Sequence, residues 1–148
     1  MIVQREMITE ALLDEVQDLL QMHHDEVGTL PQELDIDKLL YIKASARYMY
    51  AAYTLRRRGG KLVGYIGYHI HSHPHYLTNM ATQDIFFIKP KYRRGLKGLK
   101  LLKFSEKDLD ENFSIHYIMQ QTTCSLDISP LFKRMGYEYA GSNYLKRL

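Results

Sequence analysis

A basic turn with two glycines connects an apolar segment to the start of a predicted helix between residues 84 and 104. The segment from Ile85 to Ile88 is rich in β-branched and aromatic residues, which predicts a short strand. Pro90 prevents that strand from continuing as a central strand, and an amphipathic helical pattern begins near Gly98. A strand, a turn and a helix therefore follow in the order that binds phosphate groups at a helix N-terminus.

The residues of this turn are suited to a phosphate ligand. The first N–H groups of a helix have no partner within the helix, and the helix dipole adds about half a positive charge there. Gly95 and Gly98 allow the backbone to approach a ligand closely. Three side chains add positive charge, namely Arg93, Arg94 and Lys97. We predict that a pyrophosphate group binds at this turn.

Histidines recur at every second position before the predicted fourth strand. They are His69, His71, His73 and His75. On a strand the first three would line one face, a spacing that could hold Zn²⁺ or Ni²⁺. The same run contains no cysteine or carboxylate to complete a tetrahedral site. We therefore expect no metal, and we expect the histidines either to line an acceptor pocket or to form a polar strand face.

The length and charge of the chain limit the classes of function. A chain of 148 residues with 45% apolar content predicts a single domain over residues 1–148. Ten acidic residues and no Lys or Arg lie between Glu6 and Asp37, whereas eight basic residues and one acidic residue lie between Lys89 and Lys107. A second basic cluster at residues 56–61 makes nucleic-acid binding an alternative, but no nucleic-acid motif accompanies it.

We find no signal peptide and no apolar run close to the roughly 20 residues of a membrane helix, so we expect a cytoplasmic protein. The only cysteine, Cys124, cannot form an intramolecular disulfide. It has no histidine or cation next to it in sequence that would indicate a reactive thiolate. We expect it to be a half-buried small residue.

Periodicity and turn residues predict the order β-α-α-β-β-β-α-β-α-β-β. The first helix follows Thr9, a plausible N-cap, and the polar run from His23 to Glu26 is expected to end its apolar pattern. A second helix is predicted from Asp35 to Ala46, a long helix from about Gly98, and a short helix that begins near Ser129. The predicted strands are Ile2 to Met7, Tyr48 to Leu55, Lys61 to Ser72, Asn79 to Ile88, Ile115 to Gln120, Tyr137 to Ala140 and Ser142 to Lys146.

The basic turn resembles the acetyl-CoA signature of the GNAT superfamily of N-acetyltransferases. The matching residues are Ile88, Pro90 and Tyr92 before the motif, Arg93 at its first position, Gly98 at its last, and the helix pair Leu101 and Leu102. The chain departs from the motif at Leu96, where the family usually has glycine, and Gly95 lies just before it.

Two further segments resemble other parts of the same family. Residues 60–68 are similar to its third strand, and residues 131–137 are similar to the element that closes its last helix, with 144–146 fitting the final strand. As a whole the chain is most similar to small members encoded by bacteriophages. The resemblance implies an α/β fold with a mixed, mostly antiparallel sheet of about seven strands and about four flanking helices.

The resemblance also implies a donor substrate and the residues that bind it. The donor would be acetyl-CoA, with backbone groups of Phe86, Phe87 and Ile88 pairing with its pantetheine arm. The turn from Arg94 to Leu99, which also contains Gly95, Leu96, Lys97 and Gly98, would supply amides for the pyrophosphate. Core packing is the alternative role for the two phenylalanine side chains.

Acetyl transfer needs a group that accepts the proton of the amine. Asp84 is the only carboxylate on the predicted central strands, so it is the candidate general base, although it could equally be a salt-bridged or solvated residue. Many family members use a tyrosine of the last helix to reprotonate the leaving thiolate, and the matching residue here is Phe132. Tyr144 or solvent would then supply that proton. A non-catalytic CoA-binding or protein-interaction module is the alternative function.

The acceptor would be an amine of a small molecule or of a protein. His24 and Glu26, expected between the first two helices, could form an acidic wall for a cationic amine, and a solvated loop is the alternative. His75 and Tyr76 resemble a pair found in the phage-encoded relatives and are the other candidates for the acceptor site. Dimers are common in the family, so a homodimer is possible. We do not expect nucleic acid or membrane as a partner.

Overall fold

A computed structural model describes residues 1–28 and 30–148 and contains one five-stranded sheet. The strands, in their spatial order, are β1 (Ile2–Glu6), β2 (Tyr50–Arg56), β3 (Leu62–His73), β4 (Thr78–Ile88) and β5 (Tyr117–Met119). The first four strands pair in antiparallel fashion, and β4 pairs with β5 in parallel. The predicted mixed, mostly antiparallel sheet is therefore confirmed.

Among the described residues, four α-helices cover the two faces of the sheet. They are α1 (Glu10–Val27), α2 (Lys38–Ala46), α3 (Lys97–Phe113) and α4 (Ser129–Arg134). Alternate residues of the strands pack on opposite sides, so that Ile85 and Phe87 pack with α1 whereas Phe86 and Ile88 pack with α3 and α4. No helix in the described part of the chain is long and apolar enough to cross a membrane.

The first helix begins as predicted but ends later than predicted. The Leu12 N–H donates to Thr9 Oγ1 at 3.1 Å, which confirms Thr9 as the N-cap. The helix then continues through the polar run of residues 23–26 because Val27 is buried and keeps the last turn packed. His24 and Glu26 consequently lie in the last turn of α1, and their predicted position in a loop between two helices is wrong.

The prediction of about seven strands is wrong, because residues 137–148 form neither helix nor strand. The alternation of aromatic residues in this segment is typical of a strand, yet Tyr139 and Tyr144 are 78% and 96% exposed and have no core to pack against. Strand propensity alone does not order a segment whose side chains, from residue 138 onward, remain in water. Cys124, expected to be half-buried, is also exposed.

The separation of β4 from β5 creates the opening around which the candidate site is built. The two strands pair only from Met80 to Thr82 on β4, opposite Tyr117 to Met119 on β5. Beyond that point β4 continues to Ile88, and β5 does not accompany it. We call the resulting space beside residues 83–88 the strand gap.

Candidate active site

A β-bulge at Asp84 is the central feature of the site. In the pairing of β3 with β4, Gly67 lies opposite Ile85 and Tyr68 lies opposite Gln83, so Asp84 is the extra residue. A bulge redirects a side chain and is frequently found next to active sites. Here it directs the carboxylate to the face that α1 and α2 cover.

Three side chains surround the Asp84 carboxylate, and with it they form what we call the Asp84 cluster. The hydroxyls of Tyr50 and Tyr41 donate to Asp84 Oδ2 at 2.8 and 2.9 Å, and His69 Nε2 lies 3.6 Å from Oδ1. The Asp84 side chain remains 26% exposed, so water or a ligand can reach it. The position of Asp84 is therefore compatible with both predicted roles, a salt-bridged residue and a general base.

The Asp84 carboxylate is ionised at neutral pH. Burial raises the pKa of Asp84, but the interactions with His69, Tyr50 and Tyr41 outweigh burial, so its pKa is lowered. The same interaction with the carboxylate raises the pKa of His69 above its ordinary value of 6.5. Burial raises the pKa of both tyrosines, which therefore stay protonated and donate. The ionised carboxylate is suited to hold a cation, and the raised pKa of His69 makes its imidazole the stronger proton acceptor of the pair.

Gly67 makes the position of Tyr50 possible. A Cβ at residue 67 would overlap with the Tyr50 hydroxyl. That hydroxyl also lies 3.2 Å from the hydroxyl of buried Tyr65, so its location is fixed from two sides. The glycine is needed for close approach rather than for a turn.

A second group of residues closes the cluster toward the end of α1. Arg93 forms a bidentate ion pair with Glu26 at 2.6 and 2.5 Å, and its guanidinium lies over the Phe87 ring at 5.1 Å. His23 packs edge-on against the same ring at 5.6 Å, and burial lowers its pKa. Glu26 and Arg93 therefore neutralise one another. The carboxylate of Glu26, predicted for the acidic wall, and the guanidinium of Arg93, predicted to contact phosphate, are thus paired with each other.

The backbone of β4 faces the strand gap at alternate residues. The Lys89 N–H donates to Val63 O at 2.9 Å, so the backbone groups of Lys89 and Phe87 point toward β3. Those of Phe86 and Ile88 point toward the gap, where the Ile88 carbonyl already accepts from Arg93 Nε at 2.7 Å. Phe86 thus presents both an N–H and a carbonyl to the gap, whereas the backbone of Phe87 belongs to the sheet.

The turn before α3 has the predicted strand–turn–helix arrangement. Gly95 has a φ of +82°, a conformation that glycine adopts readily, and Leu96 is 55% exposed at the N-cap without a side-chain capping bond. The first N–H groups of α3 therefore have no side-chain cap, and exposed Arg94 adds positive charge. Lys97 Nζ donates to the Arg94 carbonyl at 3.0 Å, which holds a second cation at the turn.

Gly98 lies against the end of β4 and against α4. A Cβ at this residue would lie 3.6 to 3.9 Å from Ile88, Phe86 and Leu131, which is ordinary van der Waals contact. A side chain at this position would therefore point toward the end of β4 beside the strand gap and not toward solvent. Leu99 follows in the first turn of α3.

The structure does not bring the remaining predicted site residues to the Asp84 cluster. His75 and Tyr76 lie at the tip of the β3–β4 hairpin, beyond Thr78 at the start of β4, which is itself six residues or about 20 Å from the bulge. Tyr144 is almost fully exposed on the C-terminal segment. His24 lies one residue after the residue that contacts Phe87. The roles predicted for these four residues stay predictions.

Sequence reasoning missed most partners of Asp84. Tyr41 and Tyr50 are separated from it by 43 and 34 residues. Of the histidine row, only His69 joins the cluster, whereas His71 pairs with Thr82 at 2.9 Å and His73 accepts from the backbone of His75. One feature of the sequence could have indicated the Asp84 cluster: a tyrosine, Tyr50, begins one strand, and a glycine at residue 67 in the next strand leaves room for its side chain.

No protein-family model matches the chain, and no curated protein sequence matches it. Solved structures do match. One is a ribosomal-protein-alanine N-acetyltransferase from Brucella melitensis, with a TM-score of 0.73, 14% identity and 100% of both chains covered. Another is an aminoglycoside acetyltransferase from an uncultured soil metagenomic sample in complex with sisomicin, with a TM-score of 0.78, 12% identity and coverage of 99% of this chain and 95% of that one.

A third is an acetyltransferase from Trypanosoma brucei, with a TM-score of 0.72, 12% identity and coverage of 99% and 100%. These similarities extend over essentially the whole chain and confirm the GNAT-like α/β fold. Identities this low establish the shared fold and leave the reaction to be argued from the site.

Proposed function

We propose that this protein is an N-acetyltransferase that transfers an acetyl group from acetyl-CoA to a primary amine. The observation that carries the proposal is the order of three features along one strand and its turn. The bulged Asp84 comes first, the gap-facing backbone of Phe86 second, and the uncapped, positively charged start of α3 third. An extended donor with an acyl group at one end and phosphates at the other fits that order.

The start of α3 would hold the pyrophosphate of the donor. Its free N–H groups, Arg94 and Lys97 provide hydrogen bonds and positive charge at one place. The pantetheine arm would then lie in the strand gap and pair with the backbone of Phe86. In the proposed arrangement the thioester would lie next to the bulge.

The Asp84 cluster would hold the acceptor and receive its proton. The carboxylate attracts a protonated amine, and Tyr41 and Tyr50 keep that carboxylate ionised. After loss of a proton to the Asp84–His69 pair, the amine nitrogen attacks the thioester carbonyl. The C–N bond forms and the C–S bond breaks, the new amide nitrogen releases its second proton to water, and CoA leaves as a thiolate that takes up a proton from water. No bond to the enzyme forms.

Solvent is the proposed proton source, and Tyr144 stays the predicted alternative. Phe132 is buried and has no exchangeable proton, and Tyr144 is exposed on the C-terminal segment. The attraction of Asp84 for cations supports a small, cationic amine as acceptor. A solved structure of the same fold binds an aminoglycoside, which is a polyamine, and its name supports the same class.

Binding of the donor is tested first by thermal unfolding with acetyl-CoA and CoA. A ligand at 100 times its Kd adds about 2.7 kcal/mol to the free energy of unfolding. We expect stabilisation of the native protein and little stabilisation of a variant with Arg94→Glu and Lys97→Glu. Lys107→Glu, at the other end of α3, is the matched control and should bind normally.

Turnover is tested with a panel of small amines and peptides by measuring released CoA. Failure of acetyl-CoA to stabilise the native protein would overturn the proposal. Stabilisation without CoA release from any amine would favour the alternative, a CoA-binding module that does not catalyse transfer.

A further inference from the structure

Gln120 lies at the inner end of the strand gap. It follows β5 directly, and the backbone N–H of the next residue, Gln121, donates to Gln83 Oε1 at 3.1 Å. Gln83 is the first residue of β4 beyond the paired segment. The amide of Gln120 is therefore held where the two strands begin to separate.

A network of hydrogen bonds fixes the orientation of this amide; we call it the Gln120 network, and it comprises Gln120, Tyr68, Tyr137, Ser105 and Glu106. Ser105 donates to the Leu102 carbonyl at 2.8 Å, so the Tyr68 hydroxyl, 3.3 Å away, must donate to Ser105. The Tyr137 hydroxyl donates to Glu106 at 2.5 Å.

Both phenol oxygens can then only accept from Gln120. Its Nε2 donates to Tyr68 at 2.8 Å and to Tyr137 at 3.2 Å. A flipped amide would place its oxygen against two oxygens whose protons are already committed, so this orientation is the only one that satisfies the network. Gln120 Oε1 is left buried, with no hydrogen-bond partner among residues 1–28 and 30–148.

A buried acceptor without a partner destabilises the free protein. An unpaired amide oxygen on the residue at which the strand gap begins is explained if a ligand in the gap supplies the donor. We infer that Gln120 Oε1 accepts a hydrogen bond from an amide N–H of the donor's pantetheine arm, which makes Gln120 a residue that positions and selects the donor. The inference rests on the proposed function.

The location of the network favours the donor arm over the amine acceptor. Tyr68 and Tyr137 pack in the same core as Phe86 and Ile88, on the α3 side of the sheet. Tyr50, which contacts Asp84, packs in the core on the opposite side, with α1. Two amide N–H groups are present in pantetheine, and a neutral amide donor suits a neutral acceptor that is shielded from water.

The test compares ligands with and without the arm. Titration calorimetry would measure the Kd of acetyl-CoA and of adenosine 3′,5′-bisphosphate, which lacks pantetheine. Gln120→Met keeps the approximate shape of the side chain and removes the amide. We expect it to weaken acetyl-CoA about 5- to 10-fold and to leave the bisphosphate unchanged. Gln121→Met, at the neighbouring exposed residue, is the matched control and should bind both ligands normally.

Equal affinity of Gln120→Met and the native protein for acetyl-CoA would overturn the inference and leave the proposed function intact. Equal weakening of both ligands would also overturn it, because the effect would not depend on the arm. Absence of acetyl-CoA binding to the native protein would overturn the proposed function and this inference together. If Gln120→Met does not fold, NMR of the native protein decides: the Gln120 side-chain NH₂ signals should shift with acetyl-CoA and not with the bisphosphate.

Discussion

The two faces of the sheet carry polar groups of different character. The Asp84 cluster, on the α1 side, contains a carboxylate that is 26% exposed, accepts from two tyrosine hydroxyls at one oxygen and faces His69 with the other. The Gln120 network, on the α3 side, centres on a neutral amide whose oxygen is buried and unpaired within the described residues. Charge near solvent suits proton transfer, and a fixed neutral amide suits recognition. The comparison predicts that substitutions in the Asp84 cluster reduce turnover and that substitutions in the Gln120 network reduce donor affinity.

The sharpest test of this comparison is Asp84→Asn. Removing the charge should lower kcat/KM by about 100-fold or more, since general base catalysis typically contributes that much. Donor affinity should change little, because the carboxylate lies on the acceptor side. Released CoA measures kcat/KM, and titration calorimetry measures donor affinity.

Asp110→Asn, on the exposed face of α3, serves as the control and should keep full activity. Native-like turnover of Asp84→Asn would remove the Asp84 cluster from the mechanism.

Gly67→Ala should break the Asp84 cluster by sterics. The new Cβ overlaps with the Tyr50 hydroxyl, so the tyrosine must move away from Asp84. We expect a loss of about 1–3 kcal/mol in the free energy of unfolding, which is typical of overpacking, together with reduced turnover. Urea unfolding measures the first effect.

Tyr50→Phe provides the comparison, because it removes the hydroxyl without the overlap. If Gly67→Ala were as stable as the native protein, the close approach described here would be incorrect.

Tyr137→Phe should weaken the Gln120 network. The change removes a donor to Glu106 and an acceptor for Gln120 Nε2, and we expect a loss of about 1 kcal/mol of stability with weaker acetyl-CoA binding. Tyr139→Phe alters the same side chain on the exposed C-terminal segment and should have no effect on either quantity. Equal behaviour of the two variants would argue against a role for the network.

The ion pair between His69 and Asp84 should give a small, pH-dependent contribution to stability. The pKa of His69 is raised above 6.5 in the folded protein, so its contribution is complete below about pH 6.5 and is lost as the pH rises through the folded value. The pKa of Asp84 is lowered below 3.8, so its contribution is present above that pH and is lost as the pH falls through the folded value.

The difference in unfolding free energy between the native protein and His69→Gln should therefore be largest between about pH 4 and pH 6.5 and should shrink above that range. Urea unfolding at a series of pH values measures it. A difference that stays constant from pH 5 to pH 9 would contradict the pairing.

Local patterns predicted the parts of the site that are contiguous in sequence. The strand at Ile85, the turn at Pro90 and Gly95, and the helix from Lys97 all form within a few residues of their predicted limits. The cap at Thr9 was found for the same reason, because capping involves residues three apart. In contrast, residues 137–148 had a strand pattern and no strand, because a strand requires a neighbour to pair with.

The sequence by itself determined that a basic, uncapped helix start follows an apolar strand, because proline, glycine and periodicity act over short distances along the chain. Only the tertiary structure decided which groups meet on the two faces of the sheet where the strand gap begins. Asp84 joins Tyr41 across 43 residues and Gln120 joins Tyr68 across 52. These contacts depend on a one-residue bulge and on the register of neighbouring strands, and a shift of one residue would turn each side chain to the other face of the sheet.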